Sequence, residues 1–225
     1  MRVRVATFNI HHGEGLDGVL DLRRTAAAIA ETGAAIVALQ ELDRGMKRSG
    51  GIDQPAELGR ILGLEVAFFP TLERVGGGQY GIGLTARSPL TKTHFVPLPR
   101  PGTEEPRGAV TASCEGLSLI CTHLSTQGRP RSIQTAALAA IARGLERPVV
   151  VMGDFNQDRA GLRALLGLGF RGTFGHATLA RRFPRRRQLD HVLVSPDLEI
   201  DRAWILETPA SDHVPLIADL VQAGP

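Results

Sequence analysis

Apolar runs that stop abruptly at a polar residue recur along this chain, and they constrain its fold more than any other feature of the sequence. Residues 3–6, 35–38 and 149–152 are runs typical of buried strands. Side chains at the ends of such strands meet in one crevice of an α/β protein, even when they are far apart in the chain. We therefore expect one shared site for the polar residues that end or adjoin these and similar runs: Asn9, Glu41, Asp154, Asn156, Asp190, Asp212 and His213.

The chemistry of these residues indicates a metal site. Amide and carboxylate oxygens are hard donors that suit Mg²⁺ or Mn²⁺, whereas zinc would call for cysteine or more histidine. A single polar residue at a strand end is more often a helix cap or a turn former. Several of them in one chain are better explained by a metal-assisted hydrolase.

The length and charge of the chain bound its organisation and its partners. With 225 residues the chain is long enough for one large domain or two small ones. Because the candidate site residues run from Asn9 to His213, we expect a single domain over residues 1–225. The net charge is only +3, and neither half of the chain is markedly basic. Nucleic-acid binders usually present a basic face, which this composition does not demand.

The N-terminal residues and the cysteines indicate a cytoplasmic protein. The first residues run directly into the strand that carries Asn9, without a charged and apolar leader. No apolar run approaches the length of a membrane span, so we expect no integral membrane segment. Cys114 and Cys121 flank a predicted turn at residues 115–116 but do not face one another across the hairpin. We expect both thiols to be reduced core residues of a cytoplasmic monomer.

The periodicity of the sequence predicts an α/β fold. Two stretches of similar make-up, each with helices and with strands that carry site residues at their ends, favour two sheets packed face to face with helices outside. Helices are predicted over residues 21–30, 54–62, 132–145 and 160–168. Strands are predicted over residues 2–10, 65–69, 80–86, 108–114, 117–122, 149–154, 189–194, 200–206 and 215–220, with one more that reaches Glu41.

A series of short motifs resembles, in order, those of the endonuclease/exonuclease/phosphatase superfamily. They are TFNI (7–10), LQE (39–41), YGIGLTAR (80–87), PRG (106–108), THL (122–124), GDFN (153–156), LDHVLVS (189–195) and SDHVPL (211–216). The resemblance implies a four-layer α/β sandwich of two mostly antiparallel sheets. The NIHHG and RSGGIDQ segments are similar to a bacterial subgroup of metal-dependent hydrolases, which lies nearer to enzymes that cleave lipid and small phosphodiesters than to DNA-repair enzymes.

The resemblance implies a metal-binding role for three residues. Glu41 corresponds to the principal metal carboxylate, with Asn9 beside it and Asp212 completing the metal environment. Magnesium is the implied cofactor, and manganese is a substitute for it.

A second group of residues is implied in catalysis. Asp154 and Asn156 correspond to the pair that orients or deprotonates the attacking water and stabilises the phosphoryl oxygens. His213 corresponds to the histidine of a dyad, with Asp190 as the carboxylate that fixes its tautomer. His123 corresponds to a second histidine, which acts as phosphate donor or general acid. The resemblance leaves open whether His213 or Asp154 is the general base.

Further residues are expected to contact the substrate. Tyr80 begins a strand that matches a substrate-proximal position, Arg107 lies near the mouth of the site, and His11 leaves the same strand end as Asn9. Within that strand, Ile82 and Ala86 replace residues that are usually polar in the family. An arginine-rich segment directly before Asp190 is interpreted as a substrate clamp dominated by Arg187, rather than as a solvated loop; its arginines are Arg181, Arg182, Arg185, Arg186 and Arg187.

The sequence favours a Mg²⁺-dependent phosphodiesterase that acts on a small or lipid-like phosphate diester. A phosphodiester repels hydroxide, so its hydrolysis needs a cation, donors on the non-bridging oxygens and a positioned water. The alternative within the same family is a DNA or RNA endonuclease or exonuclease, including the abasic-site type. The weak net charge and the few aromatic residues disfavour it. A catalytically silent binding protein is disfavoured because competent residues fill every catalytic position.

Overall fold

The chain forms two six-stranded β-sheets in a computed structural model that describes residues 1–180 and 187–224. The helices are α1 (Leu22–Glu31), α2 (Gln54–Leu62), α3 (Gly128–Gly144) and α4 (Arg163–Leu166). The strands are β1 (Arg2–Asn9), β2 (Ile36–Arg44), β3 (Val66–Glu73), β4 (Gln79–Ala86), β5 (Thr91–Pro97), β6 (Gly108–Cys114), β7 (Leu117–His123), β8 (Val149–Asp154), β9 (Arg171–Gly172), β10 (Asp190–Val194), β11 (Leu198–Ile205) and β12 (Leu216–Gln222).

The two sheets share one plan. Their strand orders are β11-β12-β1-β2-β4-β3 and β5-β6-β7-β8-β10-β9. In each sheet the central pair is parallel, β1 with β2 and β7 with β8, and a helix connects the two strands. The other pairs are antiparallel, which confirms the predicted mostly antiparallel sheets. The first sheet takes its strands from both ends of the chain, and the second takes its strands from the middle.

Three apolar clusters separate four layers. The central cluster lies between the sheets and joins Val5 and Ala38 of the first sheet to Leu119 and Val150 of the second. A second cluster packs α1 and α2 on the outer face of the first sheet. A third packs α3 and α4 on the outer face of the second sheet. Because central strands are buried on both faces, their sequences are continuous apolar runs rather than alternating ones.

The helix ends follow from local chemistry. The Asp21 side chain accepts hydrogen bonds from the Arg23 and Arg24 amides and so caps α1 at its N-terminus. The predicted start of α3 at residue 132 was wrong, since the helix begins four residues earlier, at Gly128. Pro130 is tolerated there because the first turn of a helix needs no amide hydrogen at that position. The predicted helix at 160–168 is a 3₁₀ turn over Arg159–Leu162 followed by the single turn of α4.

Two strands were not predicted from the sequence. Strand β5 lies at the edge of its sheet and is largely exposed, so it lacks the apolar pattern that marks a buried strand. Strand β9 has only two residues.

The hairpin between β6 and β7 has the predicted register, with Cys114 opposite Leu117 and Cys121 opposite Val110. Both cysteines are buried and free. Among the described residues, no helix has the length and apolarity needed to cross a membrane.

Gly153, one residue before Asp154, has a φ of 154° that leaves no room for a side chain between β8 and β7. A Cβ atom at this position would overlap the carbonyl oxygen of Thr122 on the neighbouring strand β7. Steric overlap therefore explains why the GDFN motif has a glycine at this position. The glycine lets the backbone that carries Asp154 lie against β7.

We expect Gly153→Ala to lower the free energy of unfolding by about 1–3 kcal/mol, the usual cost of overpacking. The measurement is urea denaturation followed by circular dichroism. Gly144→Ala is the matched control, because a Cβ atom at the end of α3 would meet open space. Equal stability of the Gly153→Ala variant and the wild type would show that this close approach is not required.

Candidate active site

Glu41 lies in a β-bulge rather than at the end of its strand. The predicted end of the strand at Glu41 was wrong, because β2 continues to Arg44 and its register against β4 shifts between Gln40 and Leu42. The Glu41 backbone has a left-handed φ of 63°. Bulges redirect a side chain out of the alternating pattern, and left-handed backbone at a non-glycine residue is kept only where its surroundings enforce it. The bulge thus places the Glu41 carboxylate beside Asn9 at the end of β1.

Asn9 links the carboxylates of the two sheets. Its Nδ2 donates to Glu41 Oε1 at 2.9 Å and to Asp154 Oδ2 at 3.1 Å. Its Oδ1 accepts from the His11 amide at 3.0 Å. Ser211 Oγ donates to the Asn9 carbonyl oxygen at 2.8 Å, which holds this strand end against the SDH segment. One amide nitrogen therefore lies between two carboxylates that come from different sheets.

His213 and Asp190 form a buried pair. Strand β10 places Asp190 directly opposite Asp154 on β8. His213 Nδ1 lies 2.7 Å from Asp190 Oδ2, and its Nε2 lies 3.9 Å from Asp154 Oδ2. The amide of His213 donates to Ser211 Oγ at 3.1 Å, which fixes the turn. Asp190 thus holds the imidazole by Nδ1, and Nε2 faces Asp154.

The charges of this cluster are strongly coupled. Burial lowers the pKa of His213, but the charge and hydrogen bond of Asp190 outweigh it and raise that pKa to about 10. Burial and the neighbouring Asp190 raise the pKa of Asp154 to about 7, although His213 and two hydrogen bonds oppose the rise. Ligand atoms of Asp154, Asp190 and His213 all lie within 4.8 Å of one another. His213 is therefore protonated near neutral pH, and Asp154 is a weak base there.

His123 and Tyr80 extend the cluster. His123 Nε2 lies 3.4 Å from Asp154 Oδ2, and its Nδ1 lies 3.4 Å from the Tyr80 hydroxyl. Burial, followed by the charges of Arg107 and His213, holds the pKa of His123 well below its usual range. Burial also raises the pKa of Tyr80. A neutral His123 therefore accepts from the Tyr80 hydroxyl at Nδ1 and presents its Nε2 hydrogen to the site.

Arg107 brings a buried positive charge with unused donors to this region. Its side chain is only 9% exposed, and Nη2 pairs with Glu105 Oε1 at 3.1 Å. Among the described residues, its buried Nε and Nη1 have no hydrogen-bond partner. Buried donors without a partner are costly, so this guanidinium is suited to receive an anion.

Asn156 is held in place by its own backbone and by the neighbouring strand end. Its backbone is left-handed, with φ of 52°. Its amide donates to Asp154 Oδ1 at 2.8 Å, and Nδ2 donates to the Leu124 carbonyl oxygen at 2.9 Å. These bonds fix the Asp154 carboxylate and orient the Asn156 side chain, and neither of them uses the Asn156 side-chain oxygen.

The turn after Asn9 places His11 beside Asp212. His11, His12 and Gly13 are consecutive left-handed residues, with φ of 46°, 43° and 80°. His11 Nδ1 lies 4.0 Å from Asp212 Oδ1, and the two imidazole rings have centroids 4.5 Å apart. Of the predicted metal ligands, Asn9 contacts Glu41 directly. Asp212 is seen next to His11, on the His213 side of the site.

The remaining predicted positions differ in what they contact. Arg187 is exposed, and its carbonyl oxygen accepts from the amides of Thr178 and Leu179. Ile82 is buried in the cluster between the sheets, and Ala86 packs against that cluster, so apolar residues suit both positions. The other arginines of the predicted clamp, Arg181, Arg182, Arg185 and Arg186, lie outside the described residues.

Two residues near the site were missed by the sequence reasoning. Arg48 pairs with the fully buried Asp43 and stacks on Tyr80, with its Cζ 5.3 Å from the ring centroid. Arg131 lies close enough to Asp154 and Arg187 for their charges to act on it. The RSGGIDQ motif was the available signal for Arg48. Arg131 had none, because an arginine at a helix start is ordinary.

Comparisons of the sequence and of the structure with known proteins identify the same family and fold. A sequence model described as the Endonuclease/Exonuclease/phosphatase family matches residues 6–213. An endonuclease/exonuclease/phosphatase from Beutenbergia cavernae is similar in structure, with a TM-score of 0.83, 23% identity and coverage of 99% of this chain and 72% of the other. No curated protein matches the chain.

Two other similar structures are of proteins with a named substrate or a bound product. Mannosyl-6-phosphatase from Bacteroides thetaiotaomicron has a TM-score of 0.77 at 16% identity and covers 97% of this chain and 99% of its own. TDP2 from D. rerio, in complex with a single-stranded DNA product, has a TM-score of 0.73 at 17% identity, with 98% and 99% covered. At such identities the likeness shows the fold alone.

We expect His213→Ala and Asp190→Asn each to lower the turnover of a phosphate diester by roughly 10²–10⁴-fold, the usual contribution of a positioned acid–base group. Because Asp190 acts through His213, the double variant should be no worse than His213→Ala alone. The measurement is a double-mutant cycle on kcat. Asp197→Asn, which removes a surface partner of Arg147, is the control. Additive losses would show that the two residues act separately.

Proposed function

The chain belongs to the endonuclease/exonuclease/phosphatase family, and we propose that it is a Mg²⁺-dependent phosphodiesterase that hydrolyses a small or lipid-like phosphate diester. The observation that carries this proposal is the position of Asn9, whose amide nitrogen lies between Glu41 and Asp154. Two carboxylates from different sheets at one point are the arrangement that a divalent cation stabilises. The buried, unpaired donors of Arg107 supply a complementary place for the substrate anion.

The residues present fit a hard cation. Glu41 offers a carboxylate oxygen and already accepts from a partially positive N–H group of Asn9, which faces Asp154 as well. Asp212 offers a further carboxylate from the SDH segment. Such an oxygen-rich set suits Mg²⁺, with Mn²⁺ as a substitute. When bound, the cation neutralises charge that develops on the phosphoryl group.

The chain's own residues divide the remaining work. Arg107, His123 and Asn156 bind and orient the phosphoryl group. Asp154, with its pKa near 7, accepts a proton from the attacking water. His213, protonated and held by Asp190, donates a hydrogen bond to a phosphoryl oxygen from Nε2. Burial of this cluster strengthens each of these interactions relative to water.

The surface favours a small substrate over a nucleic acid. Tyr80, next to His123, is only 6% exposed, and no aromatic side chain among residues 1–180 and 187–224 is highly exposed. Proteins that bind single strands stack bases on exposed aromatic rings. The described arginines near the site, Arg48, Arg107, Arg131 and Arg187, number too few for a long basic track and suffice for one or two phosphate groups.

We propose in addition that residues 1–225 act as one domain and that the protein works as a cytoplasmic monomer. Glu41 and Asp154 come from different sheets, so neither sheet alone carries the site. Both cysteines are free and buried, and burial raises the pKa of the Cys121 thiol to about 12. Reduced, unreactive thiols agree with a reducing compartment.

We expect Glu41→Gln to reduce hydrolysis of bis-p-nitrophenyl phosphate by about a thousandfold or more, because it weakens several kcal/mol of charge stabilisation. The bulged backbone should persist, since an amide is the same size as the carboxylate. Turnover is measured after treatment with EDTA and re-addition of Mg²⁺, and compared with that of p-nitrophenyl phosphate. Glu57→Gln, on the surface of α2, is the control. More than a tenth of wild-type turnover in Glu41→Gln would overturn the assignment.

A salt series separates the small diester from a nucleic acid. We expect the KM for bis-p-nitrophenyl phosphate to rise only shallowly with salt and to rise several-fold in Arg187→Ala. Binding of a duplex oligonucleotide should stay weak throughout, because few phosphates would be neutralised. Arg143→Ala, at the far end of α3, is the matched control. Tight duplex binding that falls steeply with salt would favour a nuclease instead.

A further inference from the structure

The proposed steps of hydrolysis use no residue of the segment that contains the RSGGIDQ motif, residues 48–54. Its loop is nevertheless firmly built. Gly50 and Gly51 have left-handed φ of 69° and 73°. The Gly45 amide donates to the Ile52 carbonyl oxygen at 3.0 Å, and the Gly51 amide donates to that of Met46 at 2.9 Å. A loop fixed in this way can hold a side chain at a defined position.

Gln54 ties this loop to the active site. Its Oε1 accepts from the Asp43 amide at 2.9 Å, and its Nε2 donates to the His12 carbonyl oxygen at 2.6 Å. Asp43 follows the Glu41 bulge by two residues, and His12 belongs to the left-handed turn after Asn9. The loop is therefore positioned by the same two segments that position the metal-binding residues.

Arg48 is held rigidly by a buried counter-ion. Its Nε and Nη2 each lie 2.8 Å from an oxygen of Asp43. The Asp43 side chain is 0% exposed, whereas that of Arg48 is 43% exposed. The pairing uses one edge of the guanidinium. Within the described residues Nη1 has no partner, so the outer edge of the guanidinium, formed by Nη1 and Nη2, keeps parallel N–H donors.

This free edge lies at the rim of the site. The Arg48 guanidinium covers the ring of Tyr80, whose hydroxyl is 3.4 Å from His123. Glu41 and Tyr80 both act electrostatically on Arg48. Arg48 is exposed, while Arg107, which also acts on Tyr80, is buried. The two arginines thus occupy different depths near one tyrosine.

We propose that the outer edge of Arg48 binds a second phosphate group of the substrate, while the scissile phosphate occupies the deeper site. The substrate would then be a small phosphodiester that also carries a phosphate monoester, an inference that rests on the proposed phosphodiesterase function. A guanidinium edge with parallel donors matches phosphate oxygens in bidentate geometry. Its fixed orientation lowers the entropic cost of binding.

The test uses two chromogenic esters that differ only in a second phosphate: thymidine 5′-(p-nitrophenyl phosphate) with and without a 3′-phosphate. We expect the wild type with Mg²⁺ to prefer the 3′-phosphorylated ester by at least about tenfold in kcat/KM, mainly through KM, as for one charged hydrogen-bonded contact. In Arg48→Met this ratio should fall to about twofold or less. Arg60→Met, which breaks an exposed ion pair on α2, should keep the wild-type ratio.

A second variant separates binding from loss of structure. Arg48→Met leaves Asp43 buried without a partner, which is destabilising in itself. The double variant Asp43→Asn/Arg48→Met removes both charges, and it should show the same loss of preference. The ratio between the two esters is the readout because general damage to the loop would slow both alike. A wild-type ratio near one, or a folded Arg48 variant that keeps the preference, overturns the proposal.

Failure of the proposed function would have a different signature. If the wild type releases p-nitrophenol from neither ester, the phosphodiesterase assignment fails, and calorimetry still tests the role of Arg48. Thymidine 3′,5′-bisphosphate should then bind more tightly than thymidine 5′-monophosphate to the wild type, but with equal affinity to Arg48→Met. Equal affinities in the wild type would overturn the second phosphate site.

Discussion

The architecture depends on holding two carboxylates together at the meeting point of two sheets. Two carboxylates that contact the same amide nitrogen repel one another, and burial makes the repulsion stronger. The protein offsets it with the amide of Asn9 between Glu41 and Asp154 and with the cationic imidazole of His213 beside Asp154. Each of these groups needs a rigid backbone, so the apolar layers around the site serve its electrostatics as well as the stability of the fold.

Backbone strain is concentrated at this meeting point. Four of the non-glycine residues with left-handed φ, namely His11, His12, Glu41 and Asn156, lie in or beside the site. Each is supported locally, for example by the bond from Gln54 to the His12 carbonyl oxygen and by the bond from Asn156 to Leu124. Such strain persists only where neighbouring contacts enforce it, and it fixes side chains that an unstrained strand would direct elsewhere.

The sequence predicts the sandwich and its family because buried central strands leave a long apolar signal and end at polar residues such as Asn9 and Asp154. It does not predict β5, whose exposed edge carries no such signal. The bulge at Glu41 is likewise hidden, because a bulge is set by hydrogen-bond register and not by residue type. The pairing of Arg48 with Asp43 depends on a loop conformation that only the folded chain reveals.

The order of the strands along the chain determines when each sheet can form during synthesis. The second sheet is encoded by a continuous middle stretch, while the first is completed only when β12 pairs with β1. His213 lies just before β12, so its hydrogen-bonded pair with Asp190 also forms late. A nascent chain can therefore bury most of residues 91–194 early, yet the contact between Asp190 and His213 forms only after residue 213 has left the ribosome. A fragment that ends before residue 213 would hold Arg107, Asp154 and Asp190 without the imidazole that pairs with Asp190.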